Sequence, residues 1–102
     1  GGVGELSVTA SPPTSFAGGT TATGHTPAVT AIVSGGSGSF TYAWSLPGSA
    51  SADAPTSATT AFTVTGIPHF GGYLDTATLV VTDTVTGLTA SVEVVVYYLR
   101  ST

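Results

Sequence analysis

A chain of 102 residues in which 41% of the side chains are apolar has enough hydrophobic surface for one core but not for two. One arginine and no lysine stand against five carboxylates, and the net charge of -4 leaves no basic surface for nucleic acid or anionic lipid. The absence of cysteine excludes a disulfide framework, a thiolate metal site and a cysteine nucleophile. The longest apolar run, residues 94–99, is far shorter than the roughly 20 residues of a spanning helix, so we expect no membrane insertion.

The chain is predicted to consist of one domain with two short ends. Residues 1–4 are expected to be a flexible glycine-rich linker or a cloning scar, residues 5–99 a single β-sandwich, and residues 100–102 a tail. No charged segment followed by an apolar core opens the sequence, so no signal peptide is predicted. Threonine and valine favour strands and glycine and proline favour turns, so the composition indicates strands rather than helices.

Alternation of apolar and polar residues predicts three strands in the first half of the chain. The first covers residues 6–10 and ends before Pro12. The second covers residues 27–34, and no strand is predicted between it and Pro12. A flexible glycine-serine loop at residues 35–39 leads into the third, residues 40–46, where large aromatic side chains alternate strictly with small polar ones.

The second half is predicted to contain three further strands. Residues 49–59 are expected to form a loop or a short edge strand, and residues 60–65 alternate again with Phe62 facing inward. Residues 75–82 and 88–98 flank a turn at residues 83–87 whose glycine tolerates a positive φ, so these two strands are predicted to form an antiparallel hairpin with Leu88 and Tyr98 among the inward residues.

About seven short strands without any helical period predict an all-β fold, an antiparallel two-sheet sandwich without a disulfide, with a small barrel as the alternative. Trp44 is the strongest single core candidate. The full predicted core consists of the large inward-facing side chains, namely Phe40, Tyr42, Trp44, Phe62, Leu79, Val81, Val92, Val94 and Val96.

A local sequence pattern resembles a known family. Residues 33–45 read VSGGSGSFTYAWS, and Tyr73 and the segment ATLVVTD at residues 77–83 come later in the chain. This pattern resembles the immunoglobulin-like and PKD-like modules of bacterial surface proteins, and more closely the Ig-like domains appended to tailed-phage virion proteins. The resemblance covers about residues 26 to 98. The chain departs from PKD-like modules in having no carboxylate at residues 45–49, and from antibody domains in having no disulfide.

The resemblance implies a non-catalytic structural or display module of a tailed-phage virion, such as an accessory or decoration domain of a capsid or tail protein, with weak surface adhesion as an added role. Its implied partners are the parent capsid or tail protein, neighbouring copies and host surface carbohydrate, and its implied location is the virion surface. The alternative is an adhesin or spacer module of a bacterial secreted or cell-surface protein that binds polysaccharide in the extracellular space.

Few side chains are available for chemistry. No G-x-S-x-G nucleophile elbow is present, so we expect no enzymatic activity and no cofactor. His25 and His69 are predicted to lie in separate loops and supply too few ligands for a structural zinc site. Asp75 and Asp83 lie at opposite ends of one predicted strand, about 27 Å apart, so they cannot share a calcium ion. Asp83 is expected to close its turn by accepting a backbone N–H.

Outward-facing apolar residues on the last two strands suggest an interface. Val95 and Tyr97 occupy outward positions of the last strand and Val80 an outward position of the strand before it. If the third strand joins the same sheet, Ala43 extends the patch, and an exposed apolar patch of this kind marks an interaction surface. The alternative is that loops or the N-terminal arm cover it.

Three aromatic residues are candidates for stacking on sugar rings. Phe16, Phe70 and Tyr73 lie outside the predicted strands, and aromatic faces pack well against flat apolar ligands. The alternative is that they close the ends of the sandwich.

Overall fold

The computed structural model describes residues 6–48 and 50–102, and these form two four-stranded β-sheets with no helix among them. The all-β, two-sheet prediction is therefore confirmed. In chain order the strands are β1 (Ser7–Ser11), β2 (Thr14–Gly19), β3 (Gly24–Ser34), β4 (Phe40–Ser45), β5 (Ser51–Ala52), β6 (Thr59–Val64), β7 (Gly72–Asp83) and β8 (Thr89–Arg100).

The two sheets have the strand orders β1-β3-β6-β5 and β2-β8-β7-β4. We call them the first and the second sheet. Every pair is antiparallel except β2 with β8, which run parallel. The parallel pair arises because β1 and β2 are consecutive pieces of one extended segment interrupted by Pro12 and Pro13. Proline has no N–H for a ladder, so pairing with the first sheet ends there and the chain continues along the edge of the second.

The predicted core is largely confirmed. Of its nine members, six are buried, and the remaining three, Phe40, Tyr42 and Val92, are half-buried and pack against them. The Trp44 ring meets Phe62 edge-on with centroids 5.7 Å apart, and its Nε1 donates a hydrogen bond of 2.8 Å to the Ser57 carbonyl. The sandwich thus satisfies the one polar atom of its largest core side chain.

Tyr98 closes the core at the far end of β8, as its predicted inward position requires. It is 2% exposed, and its hydroxyl donates to the Thr21 carbonyl at 2.9 Å. Its ring lies flat against the backbone of Gly24, where an added Cβ would stand only 2.1 Å from Cε1. Glycine at the start of β3 is therefore what permits this close approach.

Two expectations from the sequence are wrong in detail. Leu88 does not line the inner face: it is 40% exposed, because β8 begins only at Thr89 and Leu88 belongs to the turn. β7 begins at Gly72 rather than at Asp75, because three more residues pair with β8. The predicted positive φ at Gly87 is confirmed at 78°.

The sandwich is long and narrow, with extents of 54 × 17 × 16 Å. Its first strand starts beside the β3–β4 loop, since Ser7 pairs with Ser34. Its last strand ends at the opposite end, where Arg100 pairs with Gly19. The chain therefore enters the sandwich at one end and leaves it at the other.

Candidate functional site

The outer faces of the two sheets differ in chemistry. The outward positions of the first sheet are dominated by hydroxyl side chains, and Ile32, 54% exposed, is the large apolar exception. The second sheet exposes large apolar side chains on strands β2, β8 and β7. The outer face of the second sheet is therefore the candidate interaction face, because contiguous exposed apolar surface marks interaction sites.

An apolar row crosses three strands of the second sheet. Tyr97 on β8 pairs with Phe16 on β2 and, on its other side, with Leu74 on β7. The rings of Phe16 and Tyr97 are 5.2 Å apart at an angle of 49°. Phe16 is 53% and Leu74 65% exposed, so the row projects into solvent from a rigid three-stranded support.

Val95 and Leu99 extend this row along β8 on the same face, two residues to either side of Tyr97. Leu99 pairs with Gly18 and Gly72, two residues without side chains, so it stands out as a ridge between its neighbours. Together with the row itself, these residues expose on the order of 400 Å² of surface, the size of the largest patch on a typical monomer, which is often functional. We call this surface the apolar strip; it consists of Phe16, Leu74, Val95, Tyr97 and Leu99.

The four residues predicted to form an interface all lie on this outer face, but in two groups. Val95 and Tyr97 belong to the apolar strip. Ala43 pairs with Val80 instead. Val80 lies about 14 Å further along β7 than Thr76, the partner of Val95, because β4 pairs only with the other half of that strand. The row containing Glu93 lies between the groups.

The three stacking candidates do not form one surface. Phe16 lies on β2 within the apolar strip rather than in a loop. Phe70 is 79% exposed in the β6–β7 loop, with a φ of 56° and its N–H donating to the Thr102 carbonyl. Tyr73 lies on the inner face of β7, half-buried, and its hydroxyl donates to Asp75 at 3.0 Å. Burial and the neighbouring Asp75 carboxylate raise the pKa of Tyr73 above its ordinary value.

Sequence reasoning missed the strand position of Phe16 and omitted Leu74 entirely. The segment TSFAGG holds one large apolar residue among small ones, so its alternation is too short to indicate a strand. Leu74 precedes the predicted start of its strand. The outward positions of Val95 and Tyr97 on β8 are the local signal for the strip, since residues opposite them in register occupy the same face.

Asp83 organises the end of the sandwich where the chain enters. Its fully buried carboxylate accepts hydrogen bonds from the Ser37 N–H at 2.6 Å and hydroxyl at 2.8 Å, and from the N–H groups of Val85 and Thr86. The expectation that Asp83 closes its turn is confirmed, and the contact with the β3–β4 loop adds to it. The Ser37 N–H is the largest cause that holds the pKa of Asp83 well below its usual range.

The histidines make local hydrogen bonds, and the prediction that His25 lies in a loop is wrong, because it lies on β3 and pairs with Thr63. His25 Nδ1 lies 3.1 Å from the Thr63 hydroxyl, which donates to Asp53 at 2.5 Å. Because the Thr63 hydroxyl donates its proton to the carboxylate, its oxygen accepts from the His25 Nδ1–H, and the three residues form a surface hydrogen-bond chain. His69 Nδ1 lies 3.1 Å from the Thr102 carbonyl oxygen.

Residues 6–48 and 50–102 contain no pocket and no cluster of three or more metal-ligating side chains. Nor does that part of the chain include a helix long and apolar enough to cross a membrane.

Comparison of this chain with protein-family models, with curated proteins and with solved structures found no match. The resemblance to Ig-like and PKD-like modules therefore stays a prediction.

Proposed function

We propose that this chain is an immunoglobulin-like structural module of a tailed-phage virion, displayed on the particle surface by a parent capsid or tail protein, and that it works by binding and not by catalysis. The observation that carries the binding role is the apolar strip. Large side chains exposed on three hydrogen-bonded strands form a preorganised surface, and such surfaces exist at a cost in solubility unless a partner covers them.

Two features of the fold support the immunoglobulin-like assignment. Lettered in chain order as A, A′ and B to G, the strands give the orders A-B-E-D and A′-G-F-C, which are the two sheets of that architecture with its first strand divided. The large aromatic residue of strand C, Trp44, packs between the sheets as in that architecture.

The elongated shape supports the display role. Because the chain enters at one end of the 54 Å long axis and leaves at the other, a module of this kind keeps the groups attached to its two ends apart. The apolar strip then lies along the side of the module, near the exit end.

The test is fractionation of a lysate from the source culture on a density gradient, probed with an antibody against this chain and followed by immunogold imaging. Signal that bands with DNA-filled particles and labels the head or tail supports the proposal. Signal confined to soluble or cell-wall fractions overturns it.

A matched pair of variants tests the strip within the same experiment. Tyr97→Asp places a charge in the apolar strip, whereas Ile32→Asp places one on the opposite sheet. If the strip binds a virion component, Tyr97→Asp lowers the number of copies per particle and Ile32→Asp leaves it unchanged. Equal incorporation of both variants would argue against a role for the strip.

A second candidate, an adhesin or spacer module of a bacterial surface protein, is favoured by one observation. The exposed ring of Phe16, beside the half-buried ring of Tyr97, offers an aromatic surface of the kind that stacks on sugar rings. Glycan-array binding by the intact chain, lost in Phe16→Ala and kept in Phe70→Ala, would favour this candidate. Absence of glycan binding would eliminate it.

A further inference from the structure

We propose that the apolar strip is covered by the same strip of a second copy of this chain, in a face-to-face pair related by a two-fold axis. This rests on the proposed function only in using the same surface. The occupant is inferred from three properties of the face: its support on three paired strands, its low charge and its area.

The strand support and the low charge of the strip fit a second sheet. The strip lies on three hydrogen-bonded strands, and two such faces pack about 10 Å apart when their side chains interdigitate. Strand register puts a single charged side chain, Glu93, on the described outer face of this sheet. A cationic partner would find a single carboxylate to pair with on this face, whereas an apolar sheet needs no opposite charge there.

The position of Glu93 selects the axis. A two-fold axis running along β8 would place the Glu93 side chains of the two copies against each other. An axis across the strands at Tyr97 places them on opposite sides of the pair, about 27 Å apart, since each lies four residues from Tyr97. That separation exceeds the Debye length of about 8 Å at physiological salt, so repulsion is screened.

The same axis matches the apolar residues to one another. Tyr97, Phe16 and Leu74 each face their own counterpart, and Leu99 of each copy faces Val95 of the other. The contact is isologous, so it closes after two copies and does not propagate into a fibre.

The area predicts a reversible pair. About 400 Å² of surface per copy, with a rim of threonine hydroxyls, falls below the roughly 800 Å² per partner of a stable complex. Association is therefore expected in the micromolar-to-millimolar range, where it becomes effective once a parent particle holds copies close together.

The test is sedimentation velocity of the intact chain from about 10 µM to about 1 mM, the range in which so small an interface associates. The wild-type chain is expected to shift from monomer to dimer, and Tyr97→Asp to raise Kd at least about 30-fold by charging the centre of the contact. Ile32→Asp is expected to behave as wild type. Leu74→Asp is a second strip variant, used if Tyr97→Asp does not fold.

Single thiols test the axis, since the chain has no cysteine of its own. With a thiol crosslinker of about 10 Å, Leu74→Cys is expected to give covalent dimer, because the two positions face each other across the sheets. Val80→Cys is expected to stay monomeric, because its copies lie about 40 Å apart around the proposed axis. An axis along β8 would crosslink both positions alike and would overturn the proposed geometry.

A wild-type chain that stays monomeric at about 1 mM would overturn the pairing, as would equal weakening by Tyr97→Asp and Ile32→Asp. These outcomes are separate from the gradient experiment. A chain that bands with particles yet stays monomeric keeps the virion role and loses the self-pairing. A chain that dimerises but does not band with particles keeps the self-pairing and loses the virion role.

Discussion

The contact between Gly24 and Tyr98 makes a sharp test of how the two sheets are held together. We consider the substitution Gly24→Ala. A Cβ at this position would lie 2.1, 2.4 and 2.5 Å from three carbons of the Tyr98 ring, where ordinary contact begins at 3.4 Å. The φ of Gly24 lies outside the left-handed region, so the backbone accepts alanine and the clash with the ring is the only obstacle.

The Tyr98 ring has little room to move away from an added Cβ. Its hydroxyl is held by the Thr21 carbonyl at 2.9 Å and lies close to Gly19 on the other side. Overpacking a core costs about 1–3 kcal/mol, and loss of the hydroxyl's hydrogen bond adds about 1 kcal/mol. Gly24→Ala is therefore expected to lower the free energy of unfolding by about 2–4 kcal/mol.

The assay is urea denaturation at 25 °C followed by the fluorescence of Trp44, with the slope of the transition checked for constancy. Gly18→Ala is the matched control, because its Cβ would meet nothing closer than a backbone oxygen at 3.6 Å. It is expected to change stability by less than about 0.5 kcal/mol.

A double-mutant cycle isolates the clash. In a Tyr98→Leu background the ring is gone, so Gly24→Ala is expected to cost at least about 1 kcal/mol less than in the wild-type chain. If Gly24→Ala costs less than about 0.5 kcal/mol, or costs the same in both backgrounds, the close approach of ring and backbone is not what fixes this end of the sandwich.

Three further predictions concern the core and its titratable groups. Trp44→Ala is expected to cost about 3–5 kcal/mol in the same denaturation assay, followed by circular dichroism, and a loss below about 1 kcal/mol would contradict its place in the core. The lowered pKa of Asp83 contributes stability that is fully present above the unfolded pKa of 3.8 and is lost as the pH falls toward the folded pKa. Asp83→Asn is expected to flatten this acid dependence of the free energy of unfolding. An unchanged pH profile of unfolding in the variant would refute this prediction. The raised pKa of Tyr73 predicts a tyrosine absorbance component that titrates above the ordinary range and disappears in Tyr73→Phe; an identical titration of the variant would show that the Asp75 contact is absent in solution.

Local pattern was sufficient for the strands that carry strict alternation. β4 with its aromatic residues, β6, and the hairpin of β7 and β8 follow directly from residues of period two, and so does the burial of Trp44 and Tyr98. The turn at Asp83 was predictable because aspartate and glycine have defined roles there.

The candidate site was only half predictable, because it depends on pairing between segments far apart in sequence. The outward position of Tyr97 follows from parity within β8, but its neighbours Phe16 and Leu74 come from β2 and from the start of β7. β2 is stabilised by its place beside β8 and not by its own composition, so no local pattern in TSFAGG indicates it. For the same reason Ala43 and Val80 were grouped with Val95, although register puts them in another part of the sheet.

The most direct test of the central claim, that two copies of this domain pair through the apolar strip, is a dilution series of amide NMR spectra of the intact chain. The account predicts concentration-dependent shifts at Phe16, Leu74 and Tyr97, with the amide of Ile32 on the opposite sheet unchanged. Shifts centred on Ile32, or none in the strip up to about 1 mM, would contradict it.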